Sequence, residues 1–216
     1  MTSTSRLEIL VATSNPGKIR EIQDGLNSLP VRLRYLDEFS NVSLVDEVGR
    51  TYEENAILKA LGYSKQTGIC ALADDSGLEV DALGGGPGVF SARFGGDQAS
   101  DPERIEKLLT TLSQHRGQER TARFVCCMAL TGWEKVEEQT QRADPRLLHV
   151  TEAKCEGTIA TRLRGTNGFG FDPVFVPKGY PETFAELPAK VKASISHRGL
   201  ALAAIHEFLD LWLGQT

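Results

Sequence analysis

Residues 70–96 read CALADDSGLEVDALGGGPGVFSARFGG, and the organisation of the chain follows from how this stretch is read. Ile69 to Ala73 is short and apolar enough for a buried strand, which delivers Asp74 and Asp75 into an expected turn at Ser76-Gly77. Consecutive side chains on an extended segment point to opposite faces, so one carboxylate can aim into a site. The other then braces the turn or faces the second side of a metal. Asp-Ser-Gly is also a local turn signal in its own right, and the pattern alone leaves both readings open. Leu78, Val80, Ala82 and Leu83 follow as a short apolar run. The glycine-dense loop from Gly84 to Gly88 then favours unusual backbone conformations and close approach. Arg93, at its end, is a candidate anion contact.

Upstream, LEILVA (Leu7 to Ala12) reads as a buried strand running directly into Thr13-Ser14-Asn15-Pro16-Gly17-Lys18. Ile19, Ile22, Leu26 and Leu29 then recur at helical spacing. A strand, loop and helix in this order presents free backbone N–H groups and a positive helix end, with Thr13, Asn15 and Lys18 as added side-chain donors. Phosphate binding fits that arrangement, although Asn-Pro-Gly is also an ordinary turn. Val31 to Leu36 is a second strand, and an irregular acidic segment containing Glu47 leads to Thr51, a helix cap with Glu54 at the capping-box spacing. Lys59 shares a helical face with Asn55. It reads either as a solvated surface lysine or as a phosphate contact.

Downstream, Asp101-Pro102 opens a helix to about Leu112, and Ala122 to Leu130 suits a central strand. The polar segment 132–154 is expected to be a surface hairpin or insertion, with a further strand from Cys155 to Leu163. In NGFGFDPVF, Phe169, Phe171 and Phe175 recur among glycines, either as a stacking wall for a flat ligand or as core. A short helix is expected over Thr183 to Leu187. Lys190, Lys192, His197 and Arg198 precede an apolar helix that Ser196 can cap. Positive charge in a first helical turn is unfavourable unless an anionic or polar partner compensates it, which points to a ligand site.

With 216 residues the chain can bury a sizeable core. A net charge of -5 and a pI near 5.5 argue against a nucleic-acid surface but leave small anionic ligands open. Cys70, Cys126, Cys127 and Cys155 lack metal-ligand spacing and suit buried free thiols. The first apolar run is too short for a signal peptide, and none approaches membrane-spanning length. A cytoplasmic protein is expected, with no membrane partner. Carboxylates without a His or Cys cluster suit Mg²⁺ or Mn²⁺. Together with several cationic groups, they point to phosphoryl or nucleotidyl chemistry.

The ordered set TSNPGK, EENAILKA, ADDSGLEVDAL, PGVFSARFGG, NGFGFDPVF, TFAEL and SHRGLAL resembles the inosine triphosphate pyrophosphatase family from about Leu7 to Leu209. The resemblance implies an α/β fold with an elongated central mixed sheet flanked by helices. It further implies one domain over 1–216 with two lobes around a nucleotide cleft, assembled as a homodimer. The implied reaction is Mg²⁺-dependent hydrolysis of ITP, dITP or XTP to the monophosphate and pyrophosphate. Thr13, Ser14, Asn15 and Lys18 then bind phosphate, Glu47 and Asp75 hold the metal, and Asp75 is the catalytic carboxylate. Asp74 supports it, and Lys59 contacts the triphosphate. Ser76 and Gly77 line the site, with Arg93 at its glycine-rich edge. Phe169, Gly170 and Phe171 surround the base, and Asp172, Lys192, Ser196, His197 and Arg198 hold phosphate and read the purine edge. Phe171 stands where many relatives have Tyr or Trp, which removes a polar handle. A pyrophosphatase for modified pyrimidine nucleotides and a non-catalytic nucleotide-binding protein are the alternatives.

Overall fold

The computed structural model describes residues 6–115, 117, 119–133 and 144–214. Leu7–Val11 forms β1, Pro16–Leu26 α1, Val31–Tyr35 β2, Tyr52–Thr67 α2 and Cys70–Val80 β3. Asp101–Gln114 forms α3, Thr121–Gly132 β4, Arg146–Ile159 β5, Phe175–Pro177 β6, Ala189–Ile195 α4 and His197–Gly214 α5. One sheet carries the strands in the order β2-β1-β3-β4-β5-β6. Its β1 pairs are parallel and its β5/β6 pair is antiparallel, so this is the mixed sheet of an α/β chain. Among the described residues no helix is long and apolar enough to cross a membrane.

Two compact units divide the chain. One comprises Met1–Asp75, Cys127–Glu152 and Ala201–Thr216, and the other Ser76–Cys126 and Ala153–Leu200. In the first, β1 lies between β2 and β3, so the chain passes through α1 to one side of β1 and returns through α2 to the other. Right-handed crossovers with that reversal place α1 and α2 on opposite faces and create a switch point at the carboxyl ends of β1 and β3. The register pairs Val11 with Leu72, so Asp74 and Asp75 lie beyond the end of β1, where the 13–18 loop begins. Asn15 caps α1 by accepting the N–H groups of Gly17 and Lys18 at 2.8 and 3.2 Å. Ile22 and Leu26 are buried beneath that helix. Thr51 caps α2 by accepting from Glu54 N–H at 3.1 Å. The Glu54 carboxylate reaches the N–H of Arg50 at 2.6 Å instead of returning to the cap residue, so the capping box is closed on one side only.

The second unit is built on a cluster that includes Leu78, Val80, Ile105, Leu108, Phe124, Phe175 and Phe184. The Phe124 and Phe175 ring centroids are 4.7 Å apart, and Phe175 and Phe184 are 5.0 Å apart. Ser100 and Glu103 form the capping box that starts α3, with Ile105 and Leu108 facing inward.

Three expectations are corrected. Asp74 through Gly77 do not form a turn but continue β3, because lysine partners let both carboxylates stay in the ladder and packing overrides a local turn preference. The strand expected from Cys155 begins at Arg146 and ends at Ile159. Within the segment 132–154, Gly132 ends β4 and residues 146–154 lie in β5, while residues 134–143 lie outside those described. Thr183 to Leu187 is a hydrogen-bonded turn in which Thr183 O accepts from Glu186 and Leu187 N–H, not a helix. An unforeseen helix, α4, precedes α5. All four cysteines are buried and free, with burial pushing the Cys127 thiol up to about 12 and that of Cys155 to about 11.

Candidate active site

Within the first unit, the two adjacent carboxylates of β3 are both buried, with Asp74 1% and Asp75 6% exposed. Strand alternation sends them to opposite faces, and each meets a lysine from a different helix. Lys18 Nζ of α1 lies 3.0 Å from Asp74 Oδ2. Lys59 Nζ of α2 lies 3.1 Å from Asp75 Oδ1 and 2.7 Å from Glu47 Oε1. Glu47 itself sits on the irregular segment preceding α2. The second oxygen of Asp75 accepts from Asn55 Nδ2 at 3.2 Å.

This arrangement decides between the two readings of Lys59, since it is buried and ion-paired, not solvated. Burial raises the Asp75 carboxyl above its ordinary range, the neighbouring Lys59 pulls it down, and Glu47 raises it again, with a net upward shift. Burial lowers the Lys59 ammonium, but Asp75, Asp74 and Glu47 outweigh it, so its net shift is also upward. A carboxylate whose proton affinity is raised beside a retained cation is suited to accept a proton from water.

The 13–18 loop is partly engaged in holding itself. Thr13 Oγ1 accepts the Asn15 N–H at 3.2 Å, and Asn15 Oδ1 is taken by its capping role. Ser14 and Asn15 are exposed, and Ser14 lines a cavity of about 290 Å³ with Thr13, Ile19, Tyr35, Leu36 and Asp37. Lys18 is the charged member of the loop and turns toward Asp74.

Within the second unit, the NGFGFD segment bends through Gly168 and Gly170, whose φ angles are 76° and 60°. A methyl at Gly168 would strike the Asp172 carboxylate, so the tight bend requires glycine there. Asp172 Oδ2 accepts from Phe169 N–H at 2.9 Å and from Lys192 Nζ at 2.6 Å. The same ammonium stands 5.1 Å from the Phe169 ring centroid, and the Arg198 guanidinium carbon stands 5.5 Å from it. Half-buried Phe169 is thus a ring with two cationic neighbours. Arg198 also donates to Ser76 Oγ at 2.8 Å, a polar partner for its charge in the first turn of α5. Ser196 caps that turn by accepting from Gly199 N–H at 3.1 Å. His197 is buried and stacks on Phe124 with ring centroids 4.5 Å apart.

The remaining expected residues fall elsewhere. Phe171 belongs to the hydrophobic core, 4% exposed and 6.5 Å from the Phe94 ring, so it is not a wall open to a ligand. Its apolar ring suits that position better than a hydroxyl would. Gly170 is held through its N–H by Asp101 Oδ2 at 2.7 Å. Gly77 is buried in β3. Arg93 is exposed and lies 5.8 Å from the Phe90 ring, with no ion pair to the cluster among the described residues. The contact between Asn55 and Asp75 was not anticipated; its only sequence signal is the spacing of one helical turn between Asn55 and Lys59.

Among the described residues, no group of three or more His, Cys, Asp or Glu side chains is arranged to hold a metal. The Asp75 and Glu47 pair nevertheless suits Mg²⁺, which commonly takes one or two protein carboxylates and completes its shell with water and substrate phosphate.

A sequence profile described as the Ham1 family matches residues 9–208. The chain is 43% identical over 205 residues to a dITP/XTP pyrophosphatase of Desulforamulus reducens, covering 94% of this chain and 96% of that protein. A solved HAM1 protein from Coxiella burnetii superimposes with a TM-score of 0.81 at 42% identity, covering 95% of this chain and 99% of the other. The Ham1 protein of Staphylococcus aureus gives 0.78 at 36% identity, covering 97% and 100%.

Proposed function

Because the chain belongs to the Ham1 family, we propose that it hydrolyses the non-canonical purine nucleoside triphosphates ITP, dITP and XTP between the α and β phosphates. The products are the nucleoside monophosphate and pyrophosphate, and the working form is a homodimer. The observation that carries this reading is the buried Lys59 ammonium held between buried Asp75 and the exposed carboxylate of Glu47. A ligand-binding protein has no need for such an arrangement, whereas phosphoryl hydrolysis needs both a proton acceptor and cationic charge.

In this reading Asp75 orients the attacking water and takes its proton. Lys18 and Lys59 neutralise charge on the phosphates, with the donors of Thr13, Ser14 and Asn15 aligning them. Glu47 and Asp75 would hold Mg²⁺, which supplies polarisation of the phosphoryl group when bound. Asp74 keeps Lys18 in place. Phe169 offers its ring to the purine, while Lys192 and Arg198 offer donors that a 6-oxo group satisfies. A 6-amino group would face those donors with donors of its own and leave them unpaired.

The direct test supplies ITP, dITP, XTP, ATP and GTP with Mg²⁺ and identifies the phosphate product. Pyrophosphate release from the first three and poor turnover of ATP are expected. Orthophosphate release, or equal turnover of ATP, would overturn the proposal. The raised Asp75 carboxyl adds a pH signature. Its ionised form is the proton acceptor, so kcat/KM falls as pH drops through a value above the ordinary 3.8 of aspartate. A profile that stays flat down to the ordinary aspartate range would remove Asp75 from that role.

A further inference from the structure

We infer that Asn55 is a positioning residue: its single amide sets the orientation of Asp75 and the placement of the segment that carries Glu47. The inference rests on the roles proposed above for those two carboxylates.

Asn55 lies in the first turns of α2 and is 1% exposed. Asparagine is a poor choice for a helix interior, where alanine would serve the helix better. Both ends of its amide are engaged outside the helix. Oδ1 accepts from Gly49 N–H at 2.8 Å and Nδ2 donates to Asp75 Oδ2 at 3.2 Å. Gly49 N–H can only donate, so the amide oxygen must face it, and the NH₂ group is thereby turned toward Asp75. Asn55 and Lys59 stand one helical turn apart and hold the two different oxygens of Asp75. The carboxylate therefore cannot rotate without breaking a buried hydrogen bond.

The same amide fixes the irregular segment 43–50. Along α2, successive side chains pin that segment. Glu54 takes Arg50 N–H at 2.6 Å, Asn55 takes Gly49 N–H, Lys59 reaches Glu47, and Gln66 accepts from Ser43 N–H at 2.7 Å. Glu47 hangs between these anchors, and the Gly49 anchor is two residues from it. A methyl on Gly49 would lie 2.6 Å from Asn55 Oδ1, closer than real contacts of that kind, so the glycine permits the approach. Asn55 thus couples both carboxylates through one rigid group, where a displacement of about 1 Å can cost about 10²-fold in rate.

Two variants separate the halves of the clamp. Asn55→Asp keeps an acceptor for Gly49, but it replaces the donor to Asp75 with a carboxylate oxygen that sets a like charge beside it. Its kcat for ITP should fall about 10²-fold with KM within about threefold of wild type. Asn55→Leu, similar in size but lacking both groups, should lose as much kcat. It should also show faster backbone amide exchange over residues 43–50, measured without nucleotide. A kcat within about twofold of wild type in the folded variants overturns the inference. If the wild-type protein fails to hydrolyse ITP, the proposed function falls instead. The clamp is then decided by exchange alone, and unchanged protection of 43–50 in Asn55→Leu overturns it.

Discussion

Asp75→Asn is expected to lower kcat for ITP about 10³-fold, within the range that removal of a general base produces. Asparagine has nearly the same shape as aspartate, and its oxygen still serves as an acceptor for Asn55 Nδ2. The variant should therefore fold. What it loses is the charge and the basic lone pair, and Lys59 is left with Glu47 as its remaining close carboxylate partner in this cluster. Pyrophosphate release measured alongside far-UV circular dichroism checks both halves of this expectation. Wild-type turnover in a folded Asp75→Asn protein would exclude the role assigned to this residue. A comparable loss accompanied by unfolding would instead make Asp75 a structural residue.

Asp172→Ala is expected to produce the other large effect, on stability as well as selectivity. Lys192 is 8% exposed and its ammonium is 2.6 Å from Asp172 Oδ2. Removal of the carboxylate 2.6 Å away strips a buried ammonium of that partner, at a cost of about 3 kcal/mol. Phe169 N–H loses its acceptor at the same time. For a chain of this size the thermal midpoint should fall by about 6–12 °C. Lys192 is no longer held beside the Phe169 ring, so the ratio of kcat/KM for ITP over ATP should also collapse. The double variant Asp172→Leu with Lys192→Met replaces the ion pair with apolar groups of similar bulk and should recover most of the stability. It should not recover the selectivity. An unchanged midpoint in Asp172→Ala would remove the stability role, and restored discrimination in the double variant would remove the selectivity role.

Asp75 and Asp172 govern different physical quantities from similar-looking surroundings. Both Asp75 and Asp172 are buried carboxylates beside a lysine. Asp172 binds back onto its own loop through Phe169 N–H, so its loss is felt in the local fold. Asp75 is held by side chains of a separate helix and stands at the end of the paired part of β1 and β3, a location where parallel sheets commonly place chemistry. Its loss is therefore expected in rate.

The local elements were legible in the sequence because their causes lie within a few residues. Asn15 before Pro16-Gly17, Thr51 three residues before Glu54, and the 3.6-residue rhythm of Ile22 and Leu26 are such causes. The ordered motifs also identified the family and most residues of the two clusters. Contacts between distant segments were not legible, since no local pattern states which polar group will meet which. Asp74-Asp75-Ser76-Gly77 has the composition of a turn, and became the middle of a strand only because Lys18 and Lys59 arrive from two helices to neutralise it. Phe171 and Phe169 are equivalent as letters, but the positive φ values at Gly168 and Gly170 send one into the core and leave the other beside Lys192 and Arg198. Asn55 looked like a neighbour of Lys59 on a helix face, and its two-ended hold on Gly49 and Asp75 exists only where the tertiary structure brings three segments together. Local propensity thus determined most of the elements, while burial, which forces polar groups to find partners, decided the course of β3 and which residues make the site.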